Sequence, residues 1–326
     1  MAAQNNAPLP DGLDIAGYRI VKKIASGGFS IVYLAYDGEG NAVAIKEYLP
    51  SALALRQPGE LVPVVAKPHL AVFRIGLKCF FEEGRALARI VHPNVVRVLN
   101  FFRAHDTVYM VMAYESGHSL QEHIARAAAK GRRLGEQFVR QVFTNVCAGL
   151  REVHANKLLH LDLKPANIYL RLDGSPLLLD FGAARQTLHS DAPMLAPMYT
   201  PGFAAPELST RGASLGPWTD IYSLGAAMLA CMSATTPQSV DARRGGDKLL
   251  EQLDKLVGRY SPELIDLVQA CLALDPLARP QSVFAIQKVL QAAPAASRAA
   301  ASTPPEARGG WRGLVDRLGA FGRGQG

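Results

Sequence analysis

The sequence predicts an α+β fold of two lobes, a strand-rich half followed by a helix-rich half. Three observations predict it. From Tyr18 to about Met112 the apolar runs are short and punctuated, and YRIVKKIA, IVYLAYD, NAVAIKEY and VYMVMAYE read as strands separated by Gly or Asn. After Leu120 the apolar positions fall at helical spacing instead. The sequence has no internal repeat, and strands segregated from helices imply two packed units rather than alternating ones.

Taken in order, residues 1–15 are polar and are expected to be flexible. One helical stretch, LKCFFEEGRALARIV, interrupts the strands of the first half. In the second half FVRQVFTNVCAGLREVH places Val142, Val146, Leu150 and Val153 on one helical face. IYSLGAAMLACM and PELIDLVQACLAL also read as helices, and Ser261-Pro262 suits an N-cap with proline at the first helical position. Residues 291–310 are rich in Ala and Pro and read as a disordered linker. Residues 311–326 form a short amphipathic segment, with Trp311, Leu314, Val315, Leu318 and Phe321 on one face. It reads either as a helix that docks on a partner or on the chain itself, or as a tail with chance periodicity.

With 326 residues, 49% of them hydrophobic, the chain can bury a full core. No apolar run approaches the roughly 18 residues of a membrane helix, so no transmembrane segment is expected. The opening MAAQNNAPLPDG lacks the basic and apolar regions of a secretory signal. The cysteines Cys79, Cys147, Cys231 and Cys271 are scattered without metal-type spacing, as in a reduced, cytoplasmic protein. Net charge is +7, and residues 291–326 hold five Arg against one Glu and one Asp. No basic stripe interleaves with aromatics, so no nucleic-acid partner is expected.

Five motifs carry the argument. HLDLKPAN (160–167) sets Asp162 two residues after His160 and five before Asn167. LLLDFGAA places Asp180 18 residues after Asp162. VAIK sets Lys46 on a strand, and IASGGFSIVYLA supplies a glycine turn that lets backbone approach an anion. APE (205–207) follows 25 residues after Asp180. In this order and spacing the motifs resemble a bacterial Ser/Thr protein kinase of the eukaryotic-like type, over about Tyr18 to Leu290.

The resemblance implies a bilobal protein-kinase fold over 16–290, with an N-lobe of 16–115 and a C-lobe of 116–290. It implies ATP as phosphoryl donor, Mg²⁺ (with Mn²⁺ as a substitute), and Ser or Thr hydroxyls of protein substrates as acceptors. Ala25, Gly27 and Ser30 occupy the three glycine positions of the phosphate loop, with Gly28 beside them. Val32 and Ala44 are implied to line the ATP site, and Lys46 to hold the α- and β-phosphates. Glu83, nine residues before His92, is implied to pair with Lys46, with Glu82 as the runner-up. Met112 is the implied gatekeeper, with the backbone of Ala113 and Glu115 facing adenine. Asp162 would accept the substrate proton or orient its hydroxyl, Lys164 marks the Ser/Thr type, and Thr200 would contact both. Asn167 and Asp180 would hold the metal. His160 belongs to the supporting structure, as do Asp220, which braces the catalytic loop, and Glu207, which pairs with Arg279.

Two departures stand out. The first is length, since 37 positions separate Lys46 from Glu83. The intervening insertion, residues 47–79, is too apolar for a free linker and is expected to pack on the N-lobe. It reads as structural padding or as a regulatory-partner surface. The second is Leu161, where most kinases carry an arginine that receives an activation-loop phosphate. Residues 192–198, APMLAPM, hold no hydroxyl, leaving Thr187, Ser190, Tyr199 and Thr200. Receptor and phosphate are thus missing together. The sequence therefore reads as an active kinase that does not depend on loop phosphorylation. A pseudokinase scaffold that binds ATP and partners is the alternative, supported only by Ala25, Ser30 and Leu161. A small-molecule phosphotransferase would share the two aspartates, but APE, TPGF and DPLARP argue against it.

Overall fold

The computed structural model describes residues 6–181, 199–210 and 212–292. Its first half is one antiparallel sheet of six strands: β1 (Asp14–Ile15), β2 (Tyr18–Ser26), β3 (Ser30–Tyr36), β4 (Ala42–Tyr48), then, later in the chain, β7 (Val98–Ala104) and β8 (Thr107–Ala113). The spatial order is β1-β2-β3-β4-β8-β7. Alternation fixes which face each strand buries: in β3, Ile31, Tyr33 and Ala35 are buried, and the residues between them are only partly so. The strand β7 has no counterpart among the runs singled out by sequence. Its VLNFFRA is mostly half-exposed, without a clean two-residue alternation.

Between β4 and β7 lie β5 (Ala54–Leu55), β6 (Val64–Val65) and the helix α1 (Leu70–Leu87). This corrects the expected insertion of 47–79. The helix begins at Leu70 rather than Leu77, so the last ten of those residues belong to it. Phe73, Gly76, Phe80, Glu83, Gly84 and Leu87 are its buried face, and the i, i+3, i+4, i+7 spacing already starts at Phe73. The extra chain is the shorter stretch from Leu49 to His69, closed by the small β5–β6 ribbon.

The N-terminus also differs from expectation. Residues 6–15 are packed rather than loose: Leu9 and Ile15 are 1% and 5% exposed, and the Ala7 N–H donates to the Arg56 carbonyl at 3.0 Å. Leucine and isoleucine in an otherwise polar opening supply the apolar area that holds it, each burial stabilising by roughly 1.5–3 kcal/mol.

The second half is helical. It opens with β9 (Gly117–Ser119), α2 (Leu120–Ala129) and α3 (Glu136–Ala155), followed by β10 (Ile168–Arg171) and β11 (Pro176–Leu178). The helices α4 (Pro217–Ser233), α5 (Val240–Gly245), α6 (Leu249–Asp254), α7 (Pro262–Cys271) and α8 (Val283–Gln291) complete it. On α3 the face bearing Val142, Val146, Leu150 and Val153 is at most 2% exposed. In α4 every residue from Thr219 to Met232 is buried, as a helix apolar all round must be. Ser261 is the N-cap of α7 with Pro262 after it, but its hydroxyl makes no cap bond. That hydroxyl donates instead to Glu136 Oε1 at 2.7 Å and accepts from Arg140 Nη2 at 3.0 Å. No described helix is long and apolar enough to cross a membrane. Gln291, expected to open the linker, instead ends α8; residues 293–310, the amphipathic segment 311–326, and Thr187, Ser190 and residues 192–198 lie outside the described residues.

Candidate active site

Between the sheet and the helical half is a pocket of about 320 Å³, lined by the β2–β3 turn and by Lys46, Glu83, Asp162, Lys164, Asn167 and Asp180. The β2–β3 turn contributes Ala25, Gly27, Gly28, Ser30 and Val32. It is tight, the Gly27 N–H donating to the Ser30 carbonyl at 2.9 Å. Register sets Lys46 opposite Val32 on β4, so strand pairing alone brings the lysine beneath the turn. Met112, Ala113, Ala44 and Glu115 lie outside this lining. Met112 is paired with Ala44 across β4–β8 and is 8% exposed. Ala113 N–H is spent on the Arg97 carbonyl, and the Glu115 carboxylate accepts from Arg171 Nη2 at 3.0 Å.

Lys46 Nζ lies 3.0 Å from Asp180 Oδ1 and 5.7 Å from the Phe80 ring centroid. That ion pair joins the lysine to the aspartate, and Glu83 sits buried on α1 in the same pocket wall. The Lys46 charge holds the Asp180 carboxyl below the usual carboxylate range.

Around Asp162 the structure assembles three groups. Lys164 Nζ donates to both Asp162 oxygens, at 3.2 and 3.0 Å, and to Thr200 Oγ1 at 2.8 Å. Asn167 Nδ2 donates to the Asp162 carbonyl at 2.8 Å and to its Oδ2 at 3.0 Å. Lys164 is therefore the bridge between Asp162 and Thr200. With its amide NH₂ turned to Asp162, the atom Asn167 can offer a cation is its carbonyl oxygen. One amide oxygen and the Asp180 carboxylate beside Lys46 form the hard-oxygen and cationic set that a divalent metal and polyphosphate require.

The loop carrying Asp162 is held from below. Asp220 is fully buried on α4, and its carboxylate accepts from the His160 N–H at 2.8 Å, the Leu161 N–H at 2.7 Å and His154 Nε2 at 2.8 Å. Leu161 has φ +59°, a left-handed conformation that costs a non-glycine residue roughly 1–3 kcal/mol. Two N–H bonds to a buried carboxylate, each about 1.5–3 kcal/mol, offset that cost. Asp180 is also left-handed, at φ +52°. Burial keeps the His160 ring below the ordinary histidine range despite three nearby aspartates, so it is neutral. It stacks on Phe181 with centroids 4.5 Å apart. Its Nδ1 faces the Asp162 N–H at 3.4 Å, which assigns the ring proton to Nε2. Farther down, Arg279 grips Glu207 in a fork of 2.8 and 3.0 Å, both side chains nearly wholly buried.

Sequence reasoning missed His154, Phe181 and a second buried fork on the far side of the sheet. There Arg56 meets Glu47 at 2.5 and 2.8 Å, with both side chains 0% exposed. Tyr33 and Tyr109 donate to the same carboxylate at 2.7 and 2.8 Å. Burial and the Glu47 charge push both phenols far up, so they remain donors. For His154 the available signal was its place one helical turn from Leu150 on α3, just before HLDLKPAN. For Arg56 there was none.

The comparisons with known proteins assign this fold and pocket to a family. The protein kinase domain model matches residues 18–292, and the chain belongs to the protein kinase family. It is 27% identical to the serine/threonine-protein kinase PknD of Chlamydia muridarum, over 84% of this chain and 31% of that protein. It is 30% identical to PknK of Mycobacterium tuberculosis, over 78% of this chain and 21% of that one. The chain therefore spans about a third or less of these curated relatives. Among solved structures it is similar to PpkA-294 in its apo form, with 33% identity, a TM-score of 0.76, and coverage of 87% of this chain and 99% of that one.

Proposed function

We propose that the chain is an active ATP-dependent serine/threonine protein kinase whose active state does not depend on activation-loop phosphorylation. The observation that carries the activity is the cluster around Asp162, with Lys164, Thr200 and Asn167 bonded about one carboxylate and Asp180 in the same pocket. In this reading Mg²⁺ bound with ATP supplies charge neutralisation on the phosphates. Asn167 and Asp180 hold that metal, with Mn²⁺ as a substitute. Lys46 exchanges its bond with Asp180 for the phosphates, and Glu83 keeps it aimed at them. Asp162 orients the substrate hydroxyl and takes its proton as that oxygen bonds to the γ-phosphorus and the bond from the γ-phosphorus to the β–γ bridging oxygen breaks, releasing ADP. Lys164 neutralises the phosphate side of the transfer and keeps Thr200 against the loop. The names of the relatives support Ser/Thr acceptors, as do Lys164 and Thr200.

Independence from loop phosphorylation rests on Leu161. Its side chain is 6% exposed and carries no cation, and its amide is held by Asp220, so the loop is braced without a phosphate. The test is radiolabelled phosphate transfer from ATP to an exogenous protein substrate by a Thr187→Ala/Ser190→Ala protein co-expressed with a phosphatase. Full rate from the first turnover is expected. A lag, or a rate about tenfold below the untreated wild type, a barrier difference of about 1.4 kcal/mol, ends the independence claim. Leu161→Arg is expected to give no gain in rate. An inert wild type with bound ATP would instead favour the scaffold reading.

A further inference from the structure

On β4 the neighbours Lys46 and Glu47 point to opposite faces of the sheet. Lys46 lines the pocket, and Glu47 anchors the buried cluster behind it. Arg56 ties that cluster to the N-terminal arm. Its Nε donates to the Ala7 carbonyl at 2.8 Å, and its backbone N–H donates to Asn6 Oδ1 at 2.7 Å. Asn6 Nδ2 donates in turn to the Ala54 carbonyl at 3.2 Å, and the Leu9 N–H to the Tyr33 hydroxyl at 3.1 Å.

The same segment reaches the phosphate loop. Beyond β4, the Leu49 N–H donates to the Phe29 carbonyl at 2.8 Å, and the Ser51 N–H to the Gly28 carbonyl at 3.0 Å. Ser51 Oγ adds a contact to the Gly28 carbonyl at 3.3 Å. The turn that faces the pocket is therefore held by its carbonyls from outside. Ser26, Gly27 and Gly28 line the pocket on one side and, on the other, a cavity of about 630 Å³ walled by Asn6, Pro8, Ser51 and Pro58.

We infer that the arm Asn6–Leu9 and the segment Leu49–Leu61 form an external clamp, locked by Arg56, that fixes the phosphate loop in position for ATP. The inference rests on the kinase reading and deepens it, with Arg56 and Asn6 as positioning residues. A loop already ordered before binding loses less conformational freedom when the phosphates arrive. Two glycine positions are filled by Ala25 and Ser30, so the loop gives up hinge freedom and gains a fixed geometry. Opening the clamp returns that freedom, and its re-ordering is charged to ATP binding rather than to the chemical step.

The experiment uses the full chain with Asn6→Ala, which cuts the arm's two side-chain bonds at the surface, and Arg56→Met, which keeps bulk and removes the fork. KM for ATP, kcat at saturating ATP on casein, and amide hydrogen exchange of residues 26–30 without nucleotide are measured. In Asn6→Ala, KM is expected to rise roughly tenfold, as loss of about two hydrogen bonds dictates, while kcat stays within about twofold. Exchange at 26–30 is expected to quicken, and Arg56→Met to exceed Asn6→Ala on both readouts. An unchanged KM with unchanged exchange in Asn6→Ala overturns the clamp, as does a fall in kcat without a rise in KM. Should Arg56→Met fail to fold, Asn6→Ala decides. Should the wild type transfer no phosphate, the kinase reading fails, and exchange at 26–30 still decides the clamp.

Discussion

The two walls of the pocket follow different rules. On the helical side the proposed chemistry needs side-chain atoms: the Asp162 carboxylate for a proton, Asn167 and Asp180 oxygens for a cation. There the residue types stand at the expected spacing. On the sheet side the phosphate loop is proposed to meet its ligand with backbone N–H groups, and there two of three expected glycines are Ala25 and Ser30. Side-chain chemistry dictates residue type, whereas backbone chemistry dictates only conformation, which bonds from elsewhere can hold. The phosphate loop is held in that way by Leu49 and Ser51.

The sharpest way to break this contrast is to alter the side chains proposed to carry the chemistry, with Lys46 of β4 among them. Asp162→Asn, Lys46→Met and Asp180→Ala are each expected to lower phosphotransfer by a factor of about 10³ or more, with far-UV circular dichroism unchanged. Near-wild-type activity in any of the three removes the residue from the proposed mechanism. Chelation of divalent metal should match Asp180→Ala in size.

The two buried Glu–Arg forks sharpen the contrast at the level of stability. Each arginine places all five of its N–H groups. Arg279 spends them on Glu207 and the Ala273, Trp218 and Leu274 carbonyls. Arg56 spends them on Glu47, Tyr33 and the Ala7 and Leu61 carbonyls. The Arg279 fork joins residues 72 apart, inside the helical core. The Arg56 fork joins residues nine apart, a central strand of the sheet and the segment that follows it. Arg279→Ala leaves a buried carboxylate unpaired and is expected to cost roughly 3–5 kcal/mol in urea unfolding. A loss under about 1 kcal/mol, the scale of an exposed pair, would show that the fork is open to water in solution.

These forks also mark what sequence could and could not reveal. Glu207 and Arg279 sit in APE and DPLARP, and family resemblance names them. Glu47 and Arg56 lie outside any motif, and a lysine-glutamate pair on a strand followed by an arginine in a loop is ordinary surface composition. Only the packed arm and ribbon exclude water from them. The start of α1 was missed for a related reason: its first turns follow a proline-rich loop, and the apolar spacing at Phe73 and Gly76 merges with the apolar insertion before it. Lys46, Asp162, Asn167 and Asp180 were legible because spacing constrains them. The bond between Lys46 and Asp180 was not, since sequence names potential partners but not which one a lysine holds in the absence of ligand.

The smallest expected effect tests the backbone wall directly. A Cβ built on Gly27 meets nothing within 4 Å, and its φ is not left-handed. Gly27→Ala therefore has neither a clash nor backbone strain in the ligand-free protein, and its melting temperature should stay within about 2 °C, the scale of a change below 0.5 kcal/mol. With ATP the same methyl stands where backbone is proposed to approach phosphate, and one misplaced methyl is worth roughly tenfold. The expected result is a KM for ATP raised by about that factor at unchanged stability. If KM does not move, the loop does not touch the phosphates at Gly27, and the missing glycines at 25 and 30 need no clamp to explain them. If melting falls by many degrees instead, the turn is closer packed than the open surroundings of Gly27 imply, and the sheet side is governed by packing rather than by ligand.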